Sequence, residues 1–334
     1  MTMTFPKDFI WGAAASAYQI EGAACEDGRG PSIWDMFCRR PGAVRQGESG
    51  DRACDHYRRY EEDVALMREL GLRAYRFSIA WPRVLPQGRG TVNQAGLDFY
   101  DRLIDALLGA GITPFATLHH WDYPLKLHEA GGWLKRESSD WFADYVAAVV
   151  KRLSDRVRHW FTFNEPQIFV GMGYQHGTHA PGDRLAFTEV LAIAHNVLLA
   201  HGKAVQTIRS LSTTAPGVGY AVAANEVAVP ASDGGNDVRA AREAFFHIAQ
   251  KDCGNSTWWI DPVVFGRYPE DGVMLFDSAM PSVGSSDMSI ICQPLDFLGI
   301  NVYSGRFYRA GSNGSPEAAE PPPGQIYTAS GWPV

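Results

Sequence analysis

The chain has 334 residues, of which 46% are hydrophobic and 12% aromatic, and its formal net charge is −7. A chain of this length forms two ordinary domains or one large α/β barrel. The negative charge excludes nucleic acid and anionic membranes as expected partners, and no apolar stretch is long enough to predict a membrane span.

The cysteines and the N-terminus bear on the cellular compartment. The five cysteines are odd in number, scattered and without a Cys-x-x-Cys pair, namely Cys25, Cys38, Cys54, Cys253 and Cys292. This pattern favours reduced thiols over a disulfide framework or a zinc site. Because residues 1–10 contain no long apolar core, they do not predict a secretory signal. We therefore expect a cytoplasmic protein.

Six apolar segments predict buried strands of a parallel sheet, and helical patterns separate most of them. The predicted strands are residues 9–16, 73–79, 112–118, 157–166, 216–222 and 295–304. The predicted helices are residues 55–70, 99–108, 139–153, 185–208 and 243–252. Asp261 and Pro262 predict a turn, and the stretch from Ala310 to Val334 predicts an exposed loop because it is rich in Gly, Ser and Pro.

This order of strands and helices predicts a parallel α/β architecture, with residues 1–334 in a single domain. A closed barrel needs eight strands, and six are visible in the sequence. A doubly wound sheet is the alternative, but it needs a glycine-rich phosphate-binding turn after an early strand. The nearest glycine cluster, from Gly171 to Gly177, has the wrong spacing and lies in a predicted loop.

Polar and aromatic side chains end or follow five of the predicted strands. They are Gln19, Arg76, His120, Trp121, Asn164, Glu165, Asn301 and Tyr303. In α/β barrels the chemistry lies at the carboxyl ends of the strands. Amide, imidazole and indole groups bind a polyhydroxylated ring, and a carboxylic acid transfers a proton at a glycosidic oxygen. Their joint placement predicts a sugar-binding active site with Glu165 as its acid.

Each of these residues also has a structural explanation. An acid such as Glu165 favours the N-terminus of a following helix, and His120 is compatible with an ordinary buried histidine. Arg76 could balance a buried acid, and Tyr303 could cap a core layer. It is the combination of these residues, rather than any single one, that favours catalysis.

Two histidine pairs, His119 with His120 and His176 with His179, raise the question of a metal site. The sequence contains no His-Glu-x-x-His arrangement and no Asp and His cluster with ligand spacing, so no metal is expected. It also contains no Gly-x-Ser-x-Gly elbow, which argues against a serine hydrolase.

Five segments resemble, in the same order, the motifs of family 1 glycoside hydrolases, the β-glucosidases and their relatives. They are FPKDFIWGAAASAYQIEG (residues 5–22), YRFSIAWPR (75–83), LHHWDYP (118–124), TFNEP (162–166) and DFLGINVY (296–303). The resemblance covers essentially the whole chain. It implies a (β/α)8 TIM barrel, of which about six of the eight βα units are present in this chain, and a reaction that retains anomeric configuration.

The resemblance also implies roles for the residues that contact the sugar. Glu165 is expected to be the general acid/base, and Asn164 is expected to hold the sugar 2-hydroxyl. The ring is expected to be bound by Gln19, His120 and Trp121. Retention requires a second carboxylate about 5–5.5 Å from the first. That neighbour would also raise the pKa of the acid/base while it is itself ionised.

Three further roles follow from the same resemblance. Tyr303 and Arg76 are expected to orient and tune the nucleophile, and Asn301 is expected to help bind the substrate from the same strand as Tyr303. The expected substrate is a small β-glucoside or oligosaccharide. Acid–base cleavage of a glycosidic bond needs no cofactor, so none is expected.

The sequence departs from the family at the nucleophile. The family carries it in a Thr/Ser-Glu-Asn-Gly motif at the end of the seventh strand, and Glu-Asn-Gly does not occur in these 334 residues. Asn225-Glu226 follows the fifth predicted strand and does not match. We expect either a fragment that lacks the C-terminal part of the barrel or a short form with exposed sheet edges. A short form would need a partner chain or self-association, or would have lost activity.

Three alternative functions stay open. A 6-phospho-β-glycosidase is distinguished by phosphate-binding residues of the C-terminal region. A sugar-binding pseudoenzyme would keep Gln19, His120 and Asn164 without turnover, and a nicotinamide-dependent dehydrogenase is a more remote alternative. Gln167 stands where many relatives carry an aromatic platform for the leaving group, so the preference for a leaving group also stays open.

Overall fold

The computed structural model describes residues 4–321, 323–329 and 331, with the backbone alone for residues 225 and 226. Its strands are β1 (Gly12–Ala14), β2 (Ala74–Ser78), β3 (Thr113–His119), β4 (His159–Asn164), β5 (Gly217–Pro230), β6 (Phe297–Ala310) and β7 (Pro316–Ala318). Its α-helices are α1 (Ala17–Ile20), α2 (Ile33–Cys38), α3 (His56–Glu69), α4 (Trp81–Val84), α5 (Gln94–Gly109), α6 (Leu125–Glu129), α7 (Ser138–Leu153), α8 (Pro166–Val170), α9 (Phe187–Leu211), α10 (Gly235–Phe246), α11 (Ser256–Phe265), α12 (Glu270–Phe276) and α13 (Asp287–Ile291). Residues 322, 330 and 332–334 of the predicted C-terminal loop lie outside the described residues.

The strands form one curled sheet in chain order, from β1 to β7. Strands β1 to β6 are parallel to their neighbours, and β7 is antiparallel to β6. Each of the six predicted strands is therefore confirmed. The curl brings β3 and β6 together across the concave face, where the ring centroids of Phe115 and Phe297 lie 6.4 Å apart. Phe161 of β4 completes this aromatic layer, 4.9 Å from Phe297.

The strand boundaries differ from the prediction at both ends of the sheet. β1 has only three residues, and Gln19 lies on the short helix α1 rather than at the end of a strand. β5 and β6 extend well beyond their predicted ends because they pair with each other from Gly219 to Pro230. The predicted loop from Ala310 was wrong at Pro316–Ala318, which pairs with the last residues of β6.

The predicted helix over residues 243–252 was also wrong beyond Phe246. Helix α10 begins at Gly235 and ends at Phe246. The chain then becomes extended, and the side chain of Asp271 accepts the main-chain N–H of Ile248 at 2.8 Å. A side-chain acceptor has replaced the next helical carbonyl as the partner of this N–H, so the helix does not continue.

The predicted turn at Asp261 and Pro262 lies inside helix α11. Proline in a helix removes one main-chain hydrogen bond and normally breaks or kinks the helix. Here burial outweighs that loss, because the helix places three apolar side chains in the core, those of Trp258, Trp259 and Val263. The helix ends instead at Gly266, which adopts the left-handed conformation that glycine tolerates best.

The main core lies between the convex face of the sheet and the helices, chiefly α5, α7 and α9. Trp81 is fully buried there and stacks on Tyr145 at 4.9 Å between ring centroids. A buried ion pair joins Arg83 to Glu21, with 3.0 Å between Nη2 and Oε2. Glu21 also accepts a 2.7 Å hydrogen bond from the Tyr100 hydroxyl. This network fixes the region next to β1 and β2.

The two ends of the parallel sheet expose apolar side chains. The β1 edge consists of Phe5, Phe9, Ile10 and Trp11, and the β6 edge consists of Leu298, Ile300 and Val302. Trp11 and Ile300 expose 53% and 57% of their surfaces, respectively. A parallel sheet is normally covered on both faces, so side chains of this kind are typical of a contact surface. Among the helices of the described residues, none is long and apolar enough to cross a membrane.

Candidate active site

Glu165 lies directly after β4, where the chain turns from the strand into helix α8. Its main-chain N–H donates to the carbonyl of Ala221 at 2.8 Å, which prolongs the pairing of β4 with β5 by one bond. Its backbone is left-handed, with φ 48° and ψ 61°, a conformation that strains any residue other than glycine. Pro166 then occupies the first helical position, which suits its fixed φ and missing N–H. The turn places the Glu165 side chain at the carboxyl end of the sheet.

Asn301 of β6 holds the Glu165 carboxylate. Its Nδ2 donates to Glu165 Oε1 at 2.8 Å and to Asn164 Oδ1 at 3.0 Å. Arg76 of β2 donates to the same Asn164 oxygen from Nη2 at 2.6 Å. The Asn164 side-chain oxygen therefore accepts hydrogen bonds from both sides of the curled sheet, and these two donors fix the orientation of the amide.

Asn164 also contacts the end of β3. Its Nδ2 lies 3.1 Å from His120 Nε2, and its main-chain carbonyl accepts from Trp121 Nε1 at 2.9 Å. An amide nitrogen can only donate, so His120 Nε2 must be the unprotonated ring nitrogen. Trp121 itself has a left-handed backbone, with φ 77°. Asn164 thus links residues from β2, β3 and β6 to the turn that carries Glu165.

Burial shifts the ionisation of three groups at this site. Desolvation raises the pKa of Glu165, while hydrogen bonds from Asn301 and the positive charge of Arg76 oppose the shift. Desolvation lowers the pKa of Arg76 to about 10, which leaves it charged at neutral pH. Burial and the neighbouring charge of Arg76 lower the pKa of His120 well below its usual value, so its imidazole is neutral. A protonated carboxylic acid at Glu165 is therefore favoured over a wider pH range than for a free glutamate.

A cavity of about 290 Å³ opens above Glu165. Its lining includes seven of the predicted site residues, namely Gln19, Arg76, His120, Trp121, Glu165, Asn301 and Tyr303. A neighbouring cavity of about 480 Å³ shares part of this wall and adds the rings of Tyr18, Trp34 and His179. Glu165 is the one carboxylic acid among the described residues that line the smaller cavity. The site thus combines one acid, several amides and a set of aromatic rings, which suits a neutral polyol ligand.

A sequence profile described as Glycosyl hydrolase family 1 matches residues 1–326. The chain belongs to glycosyl hydrolase family 1. It is 47% identical to Beta-glucosidase A of Acetivibrio thermocellus over 92% of this chain and 67% of that protein. It is 46% identical to Beta-glucosidase of an Agrobacterium species over 90% of this chain and 63% of that protein.

The fold agrees with the same family. The solved structure of the Thermotoga maritima β-glucosidase in complex with glucoimidazole matches with a TM-score of 0.86 and 41% identity, over 98% of this chain and 72% of that chain. The chain is thus a β-glucosidase-type glycoside hydrolase with the family 1 fold, and its curled sheet corresponds to part of the family's (β/α)8 barrel.

The structure brings the eight predicted site residues of this hydrolase together, although not all at strand ends. Arg76 lies within β2, and Asn301 and Tyr303 lie within the longer β6. Their side chains still reach the carboxyl end of the sheet because the strands are staggered around the curl. Asn164 does not line the small cavity, but it contacts four residues that do.

Two polar residues that support the site were missed by sequence reasoning. Thr117 of β3 accepts from Arg76 Nε at 2.9 Å, and the Ser16 hydroxyl donates to Gln19 Oε1 at 2.8 Å. Alternation along β3 could have identified Thr117, since it lies two residues from Phe115 on the concave face. Gln167 differs from the expectation in another way: it is buried and does not line the cavity. Within the described ranges, His, Cys, Asp and Glu residues form no group suited to a metal ion.

Proposed function

We propose that this family 1 hydrolase releases terminal β-D-glucosyl residues with retention of configuration, through a double displacement in which Glu165 is the general acid/base. The single observation that carries the proposal is the position of the Glu165 carboxylate, held by Asn301 in a cavity of sugar-binding groups. In the first step a second carboxylate attacks the anomeric carbon while a protonated Glu165 gives its proton to the leaving-group oxygen, so the glycosidic bond breaks as a glycosyl-enzyme bond forms. In the second step the Glu165 carboxylate takes a proton from the water that displaces the other carboxylate from the anomeric carbon.

The surrounding residues support binding of the sugar ring. Asn164 is oriented by donors on two sides and is proposed to hold the 2-hydroxyl, a contact that strengthens in the transition state. Gln19, His120 and Trp121 are proposed to bind the other faces of the ring. Similar proteins carry the names beta-glucosidase and 1,4-beta-D-glucan glucohydrolase. We therefore propose β-glucosides and short β-linked glucose oligomers as substrates, rather than 6-phosphoglucosides.

The second carboxylate of this reaction is proposed to come from a segment outside these 334 residues. Retention needs that group about 5–5.5 Å from the acid, and the described lining of the cavity contains no second acid. Arg76 and Tyr303, which face Glu165 from opposite strands, are proposed to orient and tune it.

The open edges of the sheet support the same proposal. A barrel of this family closes with eight parallel strands, and six parallel strands lie between the β1 edge and the β6 edge. Two further βα units would cover the exposed side chains of both edges and bring the end of a strand next to Glu165. The alternative is that a second copy of this chain covers the same edges. We also propose a cytoplasmic location, which the five free cysteines support.

A comparison of two polypeptides tests the function. The first is residues 1–334. The second, called the extended chain, joins these residues to the part of Beta-glucosidase A from Acetivibrio thermocellus that lies beyond the match. We expect hydrolysis of an aryl β-glucoside by the extended chain only, with β-glucose as the first product in ¹H NMR spectra.

Each component of the proposal would be excluded by a different experimental result. Robust Glu165-dependent hydrolysis by residues 1–334 would exclude the requirement for an outside carboxylate. Release of α-glucose as the first product would exclude retention. A second candidate function, sugar binding without turnover, is favoured by the single acid in the cavity. Calorimetric binding of glucoimidazole without hydrolysis by either polypeptide would establish it.

A further inference from the structure

The side chain of Gln167 makes a hydrogen bond to β5 just beyond the end of β4, in the place of the next main-chain bond between the two strands. Glu165 makes the last main-chain bond to β5, at the carbonyl of Ala221. In a parallel pair the next donor along β4 would come two residues later and meet the carbonyl of Ala223. The main chain has by then turned into α8. The side-chain Nε2 of Gln167 donates to that carbonyl instead, at 2.9 Å.

A second side chain fixes the same carbonyl. The hydroxyl of Ser256, the first residue of α11, donates to Ala223 at 2.7 Å and lies 3.4 Å from Gln167 Nε2. Asn255 caps this helix by accepting the N–H of Thr257 at 2.8 Å. The Ala223 carbonyl is thus held from α8 and from α11, and this part of β5 cannot move without breaking a buried hydrogen bond.

Ala223 lies opposite Asn301 in the register of β5 with β6. Asn301 donates to Glu165 Oε1 at 2.8 Å and to Asn164 Oδ1 at 3.0 Å. The contacts therefore form a closed ring, which runs from Glu165 along the chain to Gln167, across to Ala223, across to Asn301 and back to Glu165. We propose that Gln167 is a positioning residue that holds β5, and through it Asn301, against the Glu165 carboxylate.

The chemistry of Gln167 fits this role better than a contact with the leaving group. Its side chain is 1% exposed and is not part of the cavity wall. A phenylalanine or an aliphatic side chain at this position cannot donate to the Ala223 carbonyl and would leave that buried acceptor with Ser256 as its side-chain partner. The proposal rests on the proposed role of Glu165 as the acid/base.

The ionisation of Glu165 reports the position of Asn301. A hydrogen bond donated to a carboxylate stabilises its charged form, so loosening Asn301 must raise the pKa of Glu165. The other titratable groups that face this carboxyl are Arg76 from β2 and Tyr303 from β6, with His120 beyond Asn164. All three are unchanged in the variants below.

The test is a pH titration of residues 1–334 labelled with ¹³C at the glutamate carboxyl groups, with E165Q used to assign the signal. We expect Q167L to raise the pKa of Glu165 by roughly 0.5–1 unit, the size of one weakened hydrogen bond. Q175L is the control, since Gln175 also donates to a main-chain carbonyl, that of Lys251, which is not part of β5. It should titrate like the wild type. This readout needs no turnover and so is independent of the outcome for the extended chain.

A second pair of variants covers the case in which Q167L does not fold. S256A removes the other donor to Ala223 and should shift the pKa of Glu165 in the same direction by a smaller amount, whereas S256T keeps the hydroxyl and should not. A folded Q167L that titrates like the wild type overturns the proposal. So does an equal shift in Q175L, or, if Q167L does not fold, an unshifted S256A.

Discussion

The cleft around Glu165 and the two edges of the sheet differ in how completely their groups are partnered. In the cleft, Asn164 alone makes contacts with residues of β2 and β6 and with the end of β3. At the β1 edge and the β6 edge, large apolar side chains expose about half of their surfaces or more, with the exception of Phe9 and Leu298 at 39% and 43%. The cleft is therefore preorganised by its own hydrogen bonds, whereas the two edges are suited to contact with a further segment or chain.

This difference bears on how the active site is assembled. A buried acid is effective only if its orientation and ionisation are set before the substrate arrives. In this chain the hydrogen bonds that set them are donated by the polar side chains of Arg76 on β2 and Asn301 on β6, and not by the apolar side chains of the two edges. We infer that the acid half of the site forms without the second carboxylate proposed above, and that the apolar edges determine whether the proposed outside segment can bind.

The largest expected effect is the loss of the acid in the extended chain. E165Q keeps an acceptor for Asn301 but removes the proton that the leaving group needs, so kcat on an alkyl β-glucoside should fall by about 10²–10⁴-fold. Because burial raises the pKa of Glu165, the alkaline limb of the pH profile should lie above the range of a free glutamate. The measurement is initial-rate kinetics from pH 4 to pH 9.

Glu48 offers a matched control for this substitution. It lines the neighbouring cavity of about 480 Å³ and is not among the residues that line the cavity of Glu165. E48Q removes the same charge and should change kcat on the alkyl substrate by less than about threefold. Equal losses in E48Q and E165Q would show that the effect comes from the charge of the cleft rather than from proton transfer.

A smaller effect is expected from the buried ion pair that supports the cleft. Arg83 is fully buried between Glu21 and the ring of Tyr57. R83M leaves the Glu21 carboxylate buried without its cation and should destabilise the fold by roughly 3–5 kcal/mol. R59M removes an exposed partner of Glu62 and should leave the stability nearly unchanged. Urea unfolding measures the loss of stability in both variants. Equal losses would contradict the expected difference between the buried ion pair and the exposed one.

The sequence predicted which residues lie together in the cleft better than it predicted the boundaries of the elements. Strand ends with distinctive side chains, such as Asn164 and Glu165, were identifiable because an apolar run stops there and a proline follows. The extensions of β5 and β6 were not, since they depend on pairing between strands that are distant in sequence. The same reason hid the role of Gln167. Its partner is a main-chain carbonyl of β5 that no local pattern could identify.

The smallest expected effect compares two residues that lie opposite each other on β5 and β6. Val222 is 2% exposed and Ile300 is 57% exposed, although they occupy the same register position. In residues 1–334, V222A should lose roughly 1–3 kcal/mol of stability because it leaves a cavity, whereas I300A should stay within about 0.5 kcal/mol. Urea unfolding of V222A, I300A and the unsubstituted protein, in residues 1–334 and in the extended chain, measures the difference.

The extended chain should reverse the result for Ile300. If two further βα units cover the β6 edge, I300A becomes a buried deletion there and should lose roughly 2–5 kcal/mol. A large loss for I300A already in residues 1–334 would mean that another copy covers this edge. In that case the stability must rise with protein concentration, since an associated state is favoured by mass action. A concentration series in the same unfolding experiment therefore separates a docking site for an outside segment from a dimer interface.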